Sequence, residues 1–577
     1  MADTSKVVNE FFGDDEFPVE WETEQEKGLL WVYDDLHCPQ PLSPMYFDIG
    51  GWWLSCDHMF RRFGTPFASD WIAKNVNGYL YTAAVPADPD FDVPSKEYNS
   101  LYTPRVPKDD ADYSAKIGGY LNAVLPVYGL NFANWWRDRL VPEMRRNLDY
   151  LEEKINRKDE IDLAEWAVIL EDAIDIHDRH WKIHWMLNFA QLSATLNLRA
   201  VMEEVRGEVD EELLGRLQNS ASDRNWDAIE VLWNMKELAK EDPDIGEAFS
   251  KDTGKEILAA LETTPKGKTF IEERLRPYQR EFGWHAVWSH EFIFPSRFES
   301  PAPVIDVIKG YLESDYDYPS AVKHLADDIE KASQELLDGL EGEGLEKMKS
   351  ANEVNLRMAP LTPDHHFYID QGTNAHVRVV LVCIGEKLVA AGALDHPEDV
   401  VFLKYNELRY LIGDLEGFDA RSIVERRKSE RKQSEKIKPR DWIGTATESQ
   451  IQFPYLSLWG FPEKLDIDEG EMETVTGIAG SPGVVEGTAK VVLSIDEFDE
   501  VKKGDILVCQ MTNPAWTPLF ALISAIVTDT GGTASHPGVM AREFGIPAVL
   551  GTSVATTRIE SGDQLRVDGS TGVVELL

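Results

Sequence analysis

The segment Thr528 to Thr552, TDTGGTASHPGVMAREFGIPAVLGT, constrains the fold of this chain more than any other. An apolar run from Leu519 to Val527 leads into it and suits a buried strand. Gly531 and Gly532 then let the backbone turn at positive φ. Ser535 is a good N-cap and Pro537 fits a first helical turn, so a helix is expected to start around Ser535 and His536. Gly545 closes that helix, with Pro547 just beyond. His536 thus sits at a helix N-terminus, where unpaired N–H groups and the helix dipole favour an anion. A histidine there is placed to carry a phosphoryl group, although a lone histidine at a helix start also serves simply as an exposed cap.

At 577 residues the chain exceeds what one core normally supports, so two to four domains are expected. A formal net charge of −44 argues against nucleic acid or an anionic membrane surface as partner. Cys38, Cys56, Cys383 and Cys509 are scattered without CxxC spacing, which implies reduced thiols and a cytoplasmic location. No signal peptide is legible, and no stretch of about eighteen apolar residues predicts a membrane span. The GKT at Gly267 to Thr269 lacks the glycine and the strand that a phosphate-binding P-loop needs.

Residues 1–25 read as a flexible acidic lead, and 26–460 as a mainly helical domain. Pro39, Pro41 and Pro44 exclude a continuous helix from Leu29 to Trp53 and imply an extended, aromatic-rich segment. From Ile161 to Val205 the pattern is helical and puts His177, His180 and His184 on one face, with Trp185 close by. Three readings compete there: a structural face, a pocket wall offering a base, and a zinc site. The last lacks the glutamate of HExxH, and no metal is assigned. His365 and His366 are expected on opposite sides of an extended stretch. The basic run 424–440 reads as a solvated helix, and the polar stretch 461–475 as a linker to a last domain, 476–577, closed by a hairpin turned at Gly569 and Gly572.

Thr530, Gly531, Gly532, Ser535, His536, Ala541, Arg542, Glu543, Gly545, Ile546, Pro547, Ala548, Val549 and Gly551 fit TGGxxSHxxxxARExGIPAVxG. The segment therefore resembles the phosphohistidine signature of the phosphoenolpyruvate (PEP) synthase and pyruvate phosphate dikinase family. Pro537 and Gly538 depart from it, because small alanine-like residues usually follow the histidine. The opening TGIAGSPGVVEGTAKVVLS, Thr476 to Ser494, is similar to the start of that family's swivelling domain. Upstream, Tyr278, Glu291, Pro295, Arg297, Phe298, Glu299 and Pro301 resemble the substrate domain of rifampicin phosphotransferases, with His285 and His290 where a GHR-like turn is expected. The segment PEDVVFLKYNELRYLI, Pro397 to Ile412, resembles the end of that domain, where a short strand leads to a helix around Tyr405. The overall layout resembles the large subunit of phenylphosphate synthase.

The resemblance implies a multidomain protein: a mainly α-helical substrate-binding domain followed by a C-terminal α/β swivelling phosphohistidine domain. It implies that His536 is phosphorylated, with Arg542, Ser535 and Thr530 at the reacting centre and Gly531, Gly532 and Thr533 forming a phosphate loop. It implies a dikinase-type phosphotransferase. ATP and Mg2+, held by a separate ATP-grasp subunit, charge His536, and the hydroxyl of a small aromatic, phenolic substrate accepts the phosphoryl group. Residues expected at the acceptor are His177, His180, His184, Trp185, His285, His290, Glu291, Arg297, His365 and His366. The alternatives are a rifampicin-like antibiotic phosphotransferase fragment and a non-catalytic phosphocarrier or regulatory protein.

Overall fold

The computed structural model describes residues 7–8, 17–35, 37–64, 68–86, 111–286, 288–313, 317–437, 439–447, 474–492, 500–512, 514–531, 536–552 and 554–577. Two compact units emerge: residues 1–194, 290–293 and 368–453 form the first, and 195–289, 294–367 and 454–577 the second.

The first unit holds a four-stranded antiparallel sheet of β1 (Leu30–Tyr33), β2 (Ala68–Val76), β3 (Tyr79–Pro86) and β4 (Trp442–Gly444), in the order β2-β3-β1-β4. Asn77 and Gly78 join β2 to β3 with φ of 52° and 94°. A two-residue Asn-Gly turn with both φ positive matches the twist of the strands it joins. One face of this sheet buries Trp31, Tyr33, Tyr79, Tyr81 and Val85 with Phe17 and Ile443. Helices surround the rest. Asn374–Ala390 is buried along most of its length, because apolar residues occupy nearly every side of it.

In the second unit, helices Arg224–Glu241, Gly254–Thr263, Ala302–Glu313, Tyr318–Leu337 and Gly342–Met358 accompany an eight-stranded sheet. Thr253 and Glu256 start one of these helices with a reciprocal capping box. The strands are β5 (Thr474–Thr476), β6 (Ile478–Ser481), β7 (Val484–Val492), β8 (Ile506–Cys509), β9 (Ala525–Thr528), β10 (Ala548–Leu550), β11 (Gln564–Asp568) and β12 (Val573–Leu576). Their order is β5-β12-β11-β7-β8-β9-β10-β6, with β7 to β10 parallel. Every residue of β8, β9 and β10 is buried, as expected for parallel strands covered on both faces. Val475, Ile506, Val508, Val527, Leu565 and Val567 form one side of that core.

A mainly helical body and a C-terminal α/β sheet domain agree with the expected fold class. The expected helices around His177, at Tyr405–Gly413 and at Ala420–Ser434 are present, as is the closing hairpin β11–β12.

Four local expectations need correction. The apolar run before the glycine turn is not one strand: Pro514–Ala521 is a 3-10 helix, and β9 begins only at Ala525. A short apolar run does not by itself separate a strand from a buried helical piece. Leu361–His365 and His366–Thr373 are α- and π-helical, so the rings of His365 and His366 lie 4.0 Å apart instead of on opposite sides. Pro397–Phe402 is a 3-10 helix, not a strand, because His396 and Asp399 cap it reciprocally. Between Leu29 and Trp53 the chain is not extended throughout: among the described residues β1 is the one strand, and Tyr46–Gly50 and Trp52–Ser55 are helical turns. Of the expected lead, 1–6 and 9–16 lie outside the described residues, while Phe17 is buried. The linker lies outside them from 461 to 473. No helix among the described residues is long and apolar enough to cross a membrane, and the four cysteines are free and buried.

Gly569 is the tightest point of the C-terminal hairpin: a Cβ there would meet the Ser481 carbonyl oxygen at 1.9 Å and the Ala548 nitrogen at 2.7 Å. Gly569→Ala is expected to destabilise the chain by ~1–3 kcal/mol through overpacking, seen as a lowered denaturation midpoint. An unchanged midpoint would show that the contact relaxes without strain.

Candidate functional site

The carboxyl ends of β8 and β9 build the surroundings of His536. After β9 the chain stays paired to its neighbour, with Asp529 N donating to Cys509 O at 3.1 Å and Thr530 N to Gln510 O at 2.9 Å. Gly531 follows at φ 110°, a value glycine alone adopts freely. Gly532, Thr533 and Ser535 lie outside the described residues. Helix His536–Phe544 then begins, and Gly545 ends it at φ 66°, with Ile546 N donating to Ala541 O at 2.9 Å.

Thr512, beyond the end of β8 and fully buried, places its Oγ1 2.8 Å from His536 Nδ1. Phe520 meets the imidazole edge-on at 5.9 Å. Burial, with a smaller contribution from His366, pushes the His536 pKa well below the ordinary histidine value. The ring is therefore neutral at pH 7 and nucleophilic. Thr530 is buried beside it in sequence, its carbonyl accepting from Thr528 Oγ1 at 2.8 Å. Arg542 Nη1 donates to the Gly480 carbonyl at 3.0 Å, which ties the helix to β6. Asp529 holds the loop from below: its Oδ1 accepts from Thr552 Oγ1 and from Thr556 N, both at 3.1 Å. The family resemblance also implies that the Thr512 to Pro518 region packs beside the histidine, and Thr512 does so; Asp529 escaped the residue-type reading because it acts through neighbours brought by the sheet.

Elsewhere in the second unit, His285 is buried beside Phe367 at 5.0 Å, and burial, aided by Arg297 and Arg224, pushes its pKa down to about 3. Arg297 N donates to His285 O at 2.9 Å, closing the turn that both residues share. His365 Nδ1 lies 3.3 Å from the Leu361 carbonyl.

The first unit gathers the remaining histidines. His180 is satisfied on both sides, by Thr373 Oγ1 at 2.7 Å and Asn147 Nδ2 at 3.2 Å, and burial pushes its pKa down to about 3. His177 Nε2 contacts the Gly50 carbonyl and Asn374 Oδ1 at 3.0 Å, and its pKa is pushed down to about 4, again by burial. These two act as buried connectors between segments. Glu291 accepts from Ser43 N and Ser43 Oγ, both at 2.5 Å, and from Phe292 N at 2.6 Å. It pins the proline-rich segment.

His184 and His290 differ. The Asp370 carboxylate lies between them, its Oδ1 3.9 Å from His184 Nδ1 and 3.7 Å from His290 Nε2. The His290 ring is 5.1 Å from that of His37, whose Nδ1 bonds Asp34 Oδ1 at 2.8 Å. Burial alone would lower the His37 pKa, but the Asp34 charge and hydrogen bond leave it raised. Trp181 and Trp185 flank His184 at 4.8 and 4.9 Å. All five polar residues of this group except His37 are under a tenth exposed. Such a density of buried imidazole and carboxylate marks a functional region more often than a purely structural one. Asp34, His37 and Asp370 were missed in the sequence; the Asp34-x-x-His37 spacing is their only local signal.

Comparison with known proteins follows this division. Residues 501–572 match the PEP-utilising enzyme mobile domain, and 183–358 the rifampicin phosphotransferase fourth domain. The chain is 31% identical to the uncharacterized phosphotransferase YvkC of Bacillus subtilis over 68% of its own length and 47% of that protein's. It is 28% identical to a rifampicin phosphotransferase of a Streptomyces species, over 76% of this chain and 49% of the relative. Its similarity to the phosphoenolpyruvate synthase of Aeropyrum pernix reaches 48% over 20% of this chain and 14% of the relative. The chain thus spans about half the length, or less, of these curated relatives. The chain therefore carries a PEP-utilising enzyme mobile domain, which holds His536, preceded by a rifampicin phosphotransferase fourth domain, and it is similar to phosphotransferases.

Proposed function

We propose that His536 receives a phosphoryl group originating in ATP and passes it to the hydroxyl of a small aromatic acceptor, in the manner of phenylphosphate synthase. The observation that carries this reading is the Thr512–His536 contact at the helix start. With Nδ1 engaged by Thr512 Oγ1, reaction falls to Nε2. In the charging step the N–P bond forms as a P–O bond of the donor breaks, with a separate ATP-grasp subunit holding the nucleotide and Mg2+. No residue of this chain is assigned to either. Arg542, Ser535 and Thr530, with the loop Gly531, Gly532 and Thr533, are assigned to the phosphoryl group. In the second step the acceptor oxygen attacks phosphorus, the N–P bond breaks, and the hydroxyl proton passes to a base. Phosphoryl transfer depends on positioning and charge stabilisation more than on covalent machinery. The Asp370 group between His184 and His290 supplies the base, within tryptophan walls that suit a phenolic ring. The match of 183–358 favours a second reading, in which the acceptor is a bulky antibiotic.

With β-labelled ATP and an ATP-grasp protein from the same source, the chain is expected to take up acid-labile label, and His536→Ala to take up none; label persisting in the variant would overturn the assignment. Because the His536 pKa is lowered, its reactive neutral form persists on acidification. The labelling rate should stay level as pH falls through about 6.5 and decline only in more acid solution. A decline centred near 6.5 would mean that the imidazole titrates as in water. Asp370→Asn should leave labelling intact and slow transfer to a phenolic acceptor by roughly 10²–10⁴-fold, the usual worth of a general base. Unslowed transfer would remove Asp370 from the acceptor site.

A further inference from the structure

A cavity of about 400 Å³ opens in the first unit. Three arginines line it, Arg62, Arg139 and Arg179, and among the described residues no carboxylate does. On a chain of net charge −44, such a concentration of positive charge opposes the general field and is a local selection for an anion. Glu143, nearby, accepts hydrogen bonds from Arg179, from its Nε at 2.5 Å and its Nη2 at 3.0 Å, and its charge also interacts with that of Arg139, which leaves one carboxylate for three guanidinium groups.

The remaining wall is aromatic. Tyr120, Tyr128, Phe132 and Trp135 contribute to it, and Tyr120 and Trp135 are 53% and 38% exposed. Arg62 is held in place by its Nε bond to Tyr128 Oη at 2.6 Å and lies over the same ring at 5.5 Å. Trp135 meets Tyr128 edge-on at 5.6 Å. Aromatic faces set beside guanidinium groups receive a flat ring and its charged substituent together.

The backbone here is also irregular. Helix Ala111–Trp135 contains Pro126 and passes directly into a π-helical turn, Trp136–Leu140, which carries Arg139 and Leu140 into the cavity wall. Inserted π turns occur preferentially at functional sites, because they re-aim a side chain at the expense of regular hydrogen bonding. Arg139 is exposed and makes no hydrogen bond or ion pair within the described chain.

We propose that this cavity binds an aromatic compound bearing an anionic group, a carboxylate or a phosphate, with the ring against Tyr128 and Trp135 and the anion on Arg139 and Arg62. Calorimetric titration of the full chain with phenyl phosphate, benzoate, phenol and inorganic phosphate tests it. Expected is saturable 1:1 binding of phenyl phosphate or benzoate, with phenol and inorganic phosphate at least about tenfold weaker, since each lacks one half of the recognition. A preference for phenyl phosphate over benzoate would identify the phosphate ester as the anion bound, and the reverse a carboxylate. Arg139→Ala, at an exposed position, should weaken binding about tenfold with an unchanged Tm, and Trp135→Ala should do likewise. His536→Ala should bind as the parent does, which separates this site from the phosphoryl carrier and keeps the result independent of whether His536 is phosphorylated. Equal affinity for phenol and phenyl phosphate, no binding of either anion, or binding unaffected by Arg139→Ala would overturn the assignment.

Discussion

The parallel pairing of β8 with β9 is the constraint on which the carrier site depends. Cys509 faces Thr528 in that register, and the ladder continues past both strands through Asp529 and Thr530. These strands are buried on both faces, so no alternation of apolar and polar faces sets their register, and the backbone ladder continued past both strand ends holds it. Because it is held, Thr512 and His536, which follow the two strands separately, meet at 2.8 Å. Ligands of parallel α/β sheets generally collect beyond the carboxyl ends of the strands, where loops and helix N-termini converge. His536 obeys that geometry.

Burial does two different things to the histidines. At His177 and His180 it comes with hydrogen-bond partners on neighbouring segments, so the neutral rings act as polar connectors in a core that would otherwise reject them. At His37 it comes with Asp34, whose charge and hydrogen bond leave the pKa raised, whereas at His290 burial still lowers the pKa although Asp370 lies beside it. A buried group of that kind is costly to assemble and is seldom kept without a task. The same physics acts at His536: removal from water disfavours the imidazolium, and the neutral ring is the form that the proposed phosphoryl transfer requires.

Arginine placement separates structural from ligand-directed charge. Arg378 is turned onto the Phe292 carbonyl and holds backbone segments together. Arg139 is directed by a π-helical turn into an aromatic cavity instead. With so large an excess of carboxylates along the chain, an arginine that forms no ion pair is the informative exception.

The sequence by itself determined the strand-turn-helix around His536, its closure at Gly545, the hairpin at Gly569 and Gly572, and the helix carrying His177, His180 and His184. Each of these rests on local chemistry: glycine at positive φ, caps, and a period of 3.6 residues. The Asn77-Gly78 turn has the same local cause. Tertiary structure alone decided that Thr512 orients His536, that Asp529 anchors its loop, and that Asp370 falls between His184 and His290. It also folded the stretch around His365 and His366 into helix, where the sequence suggested an extended segment. Those outcomes depend on partners far away along the chain, 248 residues apart in the Ser43–Glu291 pair, and no local pattern encodes which distant segment will arrive.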